Sequence, residues 1–211
     1  MLTLGPRTSR LLAAATDALT GAQPVGLGGG RLLSELTEML RARNGFYAFE
    51  SALHVFSSGD PDAGTESLEA WNEPAGWRSG YDGLADGFTF FAEDVFGSQF
   101  AIRDERVCMF DPETGSAEAM ATSVEDWADQ LLSDYEVLTG FPLAHRWQQA
   151  HGPIPVGKRL VPKIPFVLGG DFEISNVYLL DAHEGMRLRA ELAVQLRDLP
   201  DGAQVQYRVV D

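Results

Sequence analysis

The stretch "GFTFFAEDVFGSQFAIRDERVCMFDPETG", Gly87–Gly115, decides the fold. Apolar and polar residues alternate along it, the pattern of half-buried strands. Phe88–Ala92 reads as one strand, Gln99–Arg103 as a second and Val107–Phe110 as a third. The "RDER" between the last two has the length of a hairpin turn. "DPETG", Asp111–Gly115, is a turn with proline at its second position, and Ala117–Ala121 can return as a fourth strand. The spacing predicts an antiparallel meander. The same stretch is crowded with carboxylates: Glu93, Asp94, Asp104, Glu105, Asp111 and Glu113, with Asp86 just before it and Asp82 a little further upstream. Only Arg103 and Arg106 answer them within it.

Downstream, Ser123-Val-Glu-Asp126 has the form of a capping box, with Asp making a shorter and weaker return bond than Glu. Val124, Trp127, Leu131, Tyr135 and Leu138 then line one helical face, and Gly140 ends it. Pro142 opens a further short helix through Gln149. Upstream, Leu32, Leu33, Leu36, Met39 and Leu40 predict an amphipathic helix over Arg31–Arg43, stopped by Asn44-Gly45. "FYAFESALHVFS", Phe46–Ser57, suits either a short helix or a strand. Ser57–Ser79 is polar and reads as loop around Trp71 and Trp77. A first helix is expected over Thr8–Leu19, followed by a Gly-rich break through Gly30.

Four prolines within Gly152–Pro165 predict an irregular connector. The remainder reads as helix, helix, a turn at Pro200–Gly202 and a closing strand through Val205, Tyr207 and Val209. The chain thus divides into an N-terminal helix and break (1–29), an α+β unit (30–139) and a C-terminal extension (140–211) packed on it.

Composition narrows the function classes. A chain of 211 residues suits one large domain or one domain with an extension. With 45% hydrophobic and 22% charged residues it can build a core, and one cysteine excludes a disulfide framework. No apolar run reaches the length of a membrane span. The Ala/Leu run near the N-terminus is short and broken by Asp17, so it reads as a helix rather than a secretory signal, and a cytoplasmic address is expected. The net charge of −15 argues against nucleic acid as a direct ligand. That charge is local: residues 60–136 hold 19 acidic and 3 basic residues, the rest 12 and 13. A field of this sign speeds encounter with basic partners.

Motifs for catalysis are missing. His54, His145, His151 and His183 show no metal-ligand spacing, and Cys108 sits in a strand as a buried, inert thiol. No nucleophile elbow, phosphate loop or zinc helix occurs. Gly26-Leu-Gly28 lacks a preceding strand, and Arg31 stands where a dinucleotide loop needs glycine. "DPETGSAEAM" fails the calcium-loop pattern. Phe88, Phe90, Phe91, Phe96, Phe100, Phe110 and Trp127 are expected to form core, with the helix over 124–138 covering one face of the sheet. No cofactor or metal is expected.

Taken together, "FFAEDVFGSQFAI" and "VCMFDPETGSAEAMATSVEDWADQLL" resemble the SUKH (Smi/Knr-type) superfamily. The shared pattern falls on Phe90–Asp94, Gly97–Ile102, Asp111–Gly115, Ala117–Ala121 and Ser123–Leu132, with Trp127 as the aromatic early in the helix. It spans about residues 31–138. "NGFYAFESALHVF" and the later "NVYLLDAHEGMRLRAELAVQLRDLPDGAQV" resemble one bacterial subgroup of it. The resemblance implies an α+β fold, an antiparallel meander with helices packed around it. It also implies a non-enzymatic immunity protein that binds a cognate toxin and occludes its functional surface. Asp82, Asp86, Glu93, Asp94, Asp104, Glu105, Asp111 and Glu113 are the expected partner-binding residues, with a basic toxin as partner. A regulatory or scaffold module of the same fold is the alternative, and a hydrolase built on an acidic cluster the second.

Overall fold

The computed structural model describes residues 4–59, 66–200 and 203. Six strands pair in chain order into one antiparallel sheet: β1 (Phe46–Ala48), β2 (Leu53–Val55), β3 (Thr89–Asp94), β4 (Gln99–Arg103), β5 (Arg106–Phe110) and β6 (Ala117–Ala121). The meander is therefore two strands longer than the sequence predicted. The extra pair comes from "FYAFESALHVFS", which forms a hairpin. Its turn residues Phe49, Glu50 and Ser51 all adopt positive φ (52°, 51° and 67°) without the glycine or asparagine that usually signals it.

Helices cover both faces. On one face α4 (Val124–Thr139) sets Trp127 against Phe91 and Phe100, at centroid distances of 5.0 and 5.6 Å. Two further helices, α1 (Pro6–Ala13) and α2 (Arg31–Ala42), pack beside α4. Helix α1 is tied down by Glu125, whose carboxylate accepts from the Arg7 and Thr8 backbone N–H groups and from the Thr8 hydroxyl. On the opposite face Phe90 meets Trp77 at 5.0 Å, and Phe110 meets Tyr81 at 5.4 Å. Trp71 and Trp77 are thus core residues. They stand on α3 (Leu68–Trp71) and a 3-10 turn at Trp77–Tyr81, where the polar sequence suggested open loop. Burying an aromatic side chain of this size stabilises by roughly 1.5–3 kcal/mol.

A β-bulge between Phe90 and Ala92 sorts the aromatic residues between these two layers. Phe90 pairs with Ala101 and Glu93 with Gln99, so these four share the face of Trp77, while Phe91 turns toward Trp127.

Residues beyond 140 build against the same sheet. The chain continues through α5 (Phe141–His151), β7 (Lys158–Pro162), β8 (Val177–Asp181) and α6 (Ala182–Arg197). The proline-rich connector contains a strand after all. β7 needs only one partner, β8, and Pro162 ends it, so no ladder bond is lost. Likewise "NVYLLDA" is strand β8 followed by a helix capped by Asp181, whose Oδ1 accepts from the His183 and Glu184 N–H groups. The Leu160 N–H donates to Val95 O at 2.8 Å, joining β7 to the main sheet's β3–β4 turn. Met186, Ala190 and Ala193 of α6 enter the core that holds Trp77 and Tyr81.

Two helix ends differ from expectation. The first helix stops at Ala13, not Leu19, because the chain joins the sheet edge: Thr16 N–H donates to Tyr47 O, and Ala15 bridges Ala48. At Ser123 the cap forms as predicted, Oγ accepting from Asp126 N–H at 2.9 Å. The return bond goes one residue further back, with Asp126 Oδ2 accepting from Thr122 N–H. The turn and strand expected after Pro200 fall outside the described residues.

Candidate functional site

Strand pairing lines up a row of polar side chains through the core. Tyr47 stands opposite His54, His54 opposite Glu93 and Glu93 opposite Gln99. Directly opposed residues share a face, so all four point toward α3 and α6. Tyr47 stacks flat on His54, centroids 4.3 Å apart. His54 Nδ1 lies 3.0 Å from Glu93 Oε1, and Gln99 Nε2 donates to Glu93 Oε2 at 3.3 Å. Gln99 Oε1 accepts from the Trp71 indole N–H at 2.9 Å.

Arg159 reaches this row from β7. Its Nε lies 2.8 Å from Glu93 Oε1, as an ion pair and not an aligned hydrogen bond. Both residues are buried. Burial by itself would raise the Glu93 carboxyl, but Arg159 and then His54 hold it below its ordinary value. Burial pushes the His54 imidazole down, against the pull of Glu93, which favours the neutral ring. A neutral ring that donates Nδ1–H to a carboxylate presents Nε2 as an acceptor. That Nε2 is buried and has no hydrogen-bond partner in the protein.

A cleft of about 400 Å³ opens over the row. Tyr47, Phe56 and Trp71 give it aromatic walls, with His54 and Glu93 below. The start of α3 contributes Glu66 and Ser67; the β8–α6 junction contributes Asp181 and His183. His183 Nε2 stands 4.0 Å from Glu66 Oε1. Ser67 Oγ is engaged as the cap of α3, accepting from Ala70 N–H at 3.1 Å. Among the described residues no group of three or more His, Cys, Asp or Glu side chains is placed to hold a metal ion.

The chain shares its fold with Atu4351 from Agrobacterium tumefaciens. The match to that crystal structure has a TM-score of 0.51 and 14% sequence identity, and covers 85% of this chain and 86% of the other. At that identity the likeness is one of fold. No family model and no curated protein matches the chain.

The eight expected partner-binding carboxylates separate into three groups. Glu93, Asp94 and Glu113 are buried, which removes them from an acidic surface. Asp94 Oδ1 accepts from Phe96 and Ser98 N–H groups and holds the β3–β4 turn; burial raises its carboxyl to about 7. Glu113 accepts from Val167 N–H, and burial raises its carboxyl too. Asp111, half-buried, caps its own turn through Glu113 N–H and the Thr114 hydroxyl. Asp82, Asp86, Asp104 and Glu105 are exposed. Asp104 and Glu105 form the β4–β5 turn beside Arg103, and Thr89 pairs with Ile102, so Asp86, just before β3, comes to the same end of the sheet as Asp104. Asp82 pairs with Arg197 at the far end of α6.

Sequence reasoning missed His54, Glu66, Arg159, Asp181 and His183 as a group. Glu93 carried a signal: a charged residue inside an otherwise apolar strand requires a buried partner. Asp181 carried one as well, since Asp followed three residues later by Glu184 marks a helix start.

No helix among the described residues is long and apolar enough to cross a membrane.

Proposed function

We infer that this protein is a recognition module, an immunity protein of SUKH type, that binds a basic cognate toxin and covers its functional surface. The observation that carries the reading is the exposure of Asp82, Asp86, Asp104 and Glu105, in a region with 19 acidic and 3 basic residues. The fold itself accounts for Glu93, Asp94, Asp111 and Glu113. Of the other four, Asp82 pairs with Arg197, Asp104 with Arg103 and Glu105 with Arg31, all in exposed contacts that a partner can compete for. Exposed rim charges of this kind act chiefly on association rate and on the rejection of wrong partners.

The cleft supports binding over reaction. Its His–Glu pair resembles the orienting half of a hydrolytic triad, but His54 Nε2 is bonded to no hydroxyl or thiol, and Ser67 Oγ serves as a helix cap. Helix α6 links the cleft to one of these carboxylates, from His183 to the Arg197–Asp82 pair. At about 1.5 Å per residue, the stretch from His183 to Arg197 sets the two about 21 Å apart, a span that one protein footprint covers.

The test is genetic. Expressed alone, the product of the neighbouring gene should arrest growth, and co-expression with this protein should restore it. A harmless neighbour would favour the regulatory alternative.

A further inference from the structure

The cleft holds more negative charge than its walls neutralise. Glu93 is matched by Arg159 and Asp181 has Lys158 opposite it on β7, but Glu66 has His183 alone as its ion-pair partner, at 4.0 Å. Glu66 feels the consequence. Burial raises its carboxyl, His183 opposes this, and the charges of Asp181 and Glu93 push it up further. A cation between these carboxylates relieves that repulsion.

A second observation points the same way. His54 is 4% exposed and lines the cleft, and its Nε2 is an acceptor with no partner. A buried acceptor of this kind favours a ligand that brings an N–H donor. The walls add shape. Phe56 and Trp71 stack on each other at 4.8 Å and are buried, which fixes one side of the cleft, and Trp71 meets the His183 ring edge-on at 5.8 Å.

One common group combines positive charge, planarity and several divergent N–H donors: the guanidinium. We propose that the cleft is a guanidinium receptor that takes an arginine side chain of the partner, with Glu66 and Asp181 accepting from it. This rests on the reading of the protein as a binder of a basic partner and names the group it grips. An ammonium would satisfy the charge but not acceptors set apart around the cleft, which the divergent N–H groups of a guanidinium can reach together. The cavity lies within the roughly 300–1,000 Å³ of small-ligand pockets.

The experiment needs no partner. The full chain is titrated with N-acetyl-L-arginine amide, its lysine counterpart and the neutral isostere N-acetyl-citrulline amide, following Trp fluorescence and amide shifts. Arginine amide should bind saturably, with the largest shifts around Trp71 and His183. The citrulline probe should bind at least about tenfold more weakly, having lost its charge-assisted bonds. Lysine amide should fall behind arginine amide. Glu66→Gln and Asp181→Asn should each weaken arginine binding several-fold at unchanged melting temperature, since Asn still caps α6. Absence of saturation, equal binding of citrulline, or indifference to both substitutions overturns the receptor. The two readings fail separately. A toxin that binds wild type and Glu66→Gln equally removes the receptor and leaves recognition standing. Arginine amide that binds a chain with no protein partner does the reverse.

Discussion

His54 and Glu93 face each other across β2 and β3, Nδ1 3.0 Å from Oε1, and both are buried. This pair, backed by Arg159, forms the floor of the cleft. Removing one member leaves another charged and alone. Glu93→Gln should cost about 3–5 kcal/mol of stability, because it strands the Arg159 guanidinium. Adding Arg159→Met should recover a large part of that loss. Urea unfolding of the single and double variants measures both, and additive losses would show that the pair is not coupled.

The same pair sets an acid limit. The folded Glu93 carboxyl lies below its ordinary value of 4.5. Its contribution is therefore present above about pH 4.5 and is lost as pH falls through the lower folded value. Wild type should lose stability in that acid range more steeply than Glu93→Gln, as thermal melts across pH would record.

Asp94 has the opposite sign. Its folded value is raised from 3.8 to about 7, so stability is greatest below 3.8 and falls as pH rises toward 7. Asn keeps the oxygen that accepts from Phe96 and Ser98 and carries no charge. Asp94→Asn should therefore gain on wild type from about pH 4 to about pH 7 and level off above. The gain should reach a few kcal/mol, since each tenfold change in proton affinity is worth about 1.4 kcal/mol. A gap that stays flat with pH would contradict the raised value.

The β4–β5 turn stores strain at the surface. Asp104 and Glu105 both have positive φ, 49° and 55°, where Asn-Gly is the favoured pair. Asp104→Asn with Glu105→Gly should stabilise by about 1 kcal/mol. If these carboxylates meet the toxin, the same variant should bind more slowly. Calorimetry and stopped-flow association check the two halves independently.

Cys108 lies in β5, buried, and burial raises its thiol. It should resist thiol reagents in the folded protein and react only on unfolding. Labelling at the rate of a free thiol would place it at the surface.

The sequence made the centre of the sheet legible and its flanks obscure. Strands β4 and β6 fall where alternation placed them, because Asp111 and Gly115 form the turn their types suggest. Gly115 has φ +68°, and a side chain there would strike Leu84. The β1–β2 hairpin was ambiguous because Phe49, Glu50 and Ser51 give no turn signal. Strand β7 hid among prolines that an edge strand tolerates, and β8 ran into the helical pattern of α6. The cleft was harder still. Arg159, Asp181 and His183 reach it from more than 60 residues beyond Glu93, and no local spacing encodes that approach. The acidic stretch also concealed its own division, since a carboxylate that caps a buried turn and one that faces water look alike in sequence.

The central claim is recognition of a basic protein through these exposed carboxylates. Its most direct test is the affinity between this protein and the product of the neighbouring gene, measured from low salt, where the Debye length is about 30 Å, to high salt, where it is about 3 Å. The account predicts a one-to-one complex that weakens steeply over that range, and whose salt dependence flattens when Asp82, Asp86, Asp104 and Glu105 are replaced by their amides. A complex of constant affinity across salt, or none at all, would contradict it.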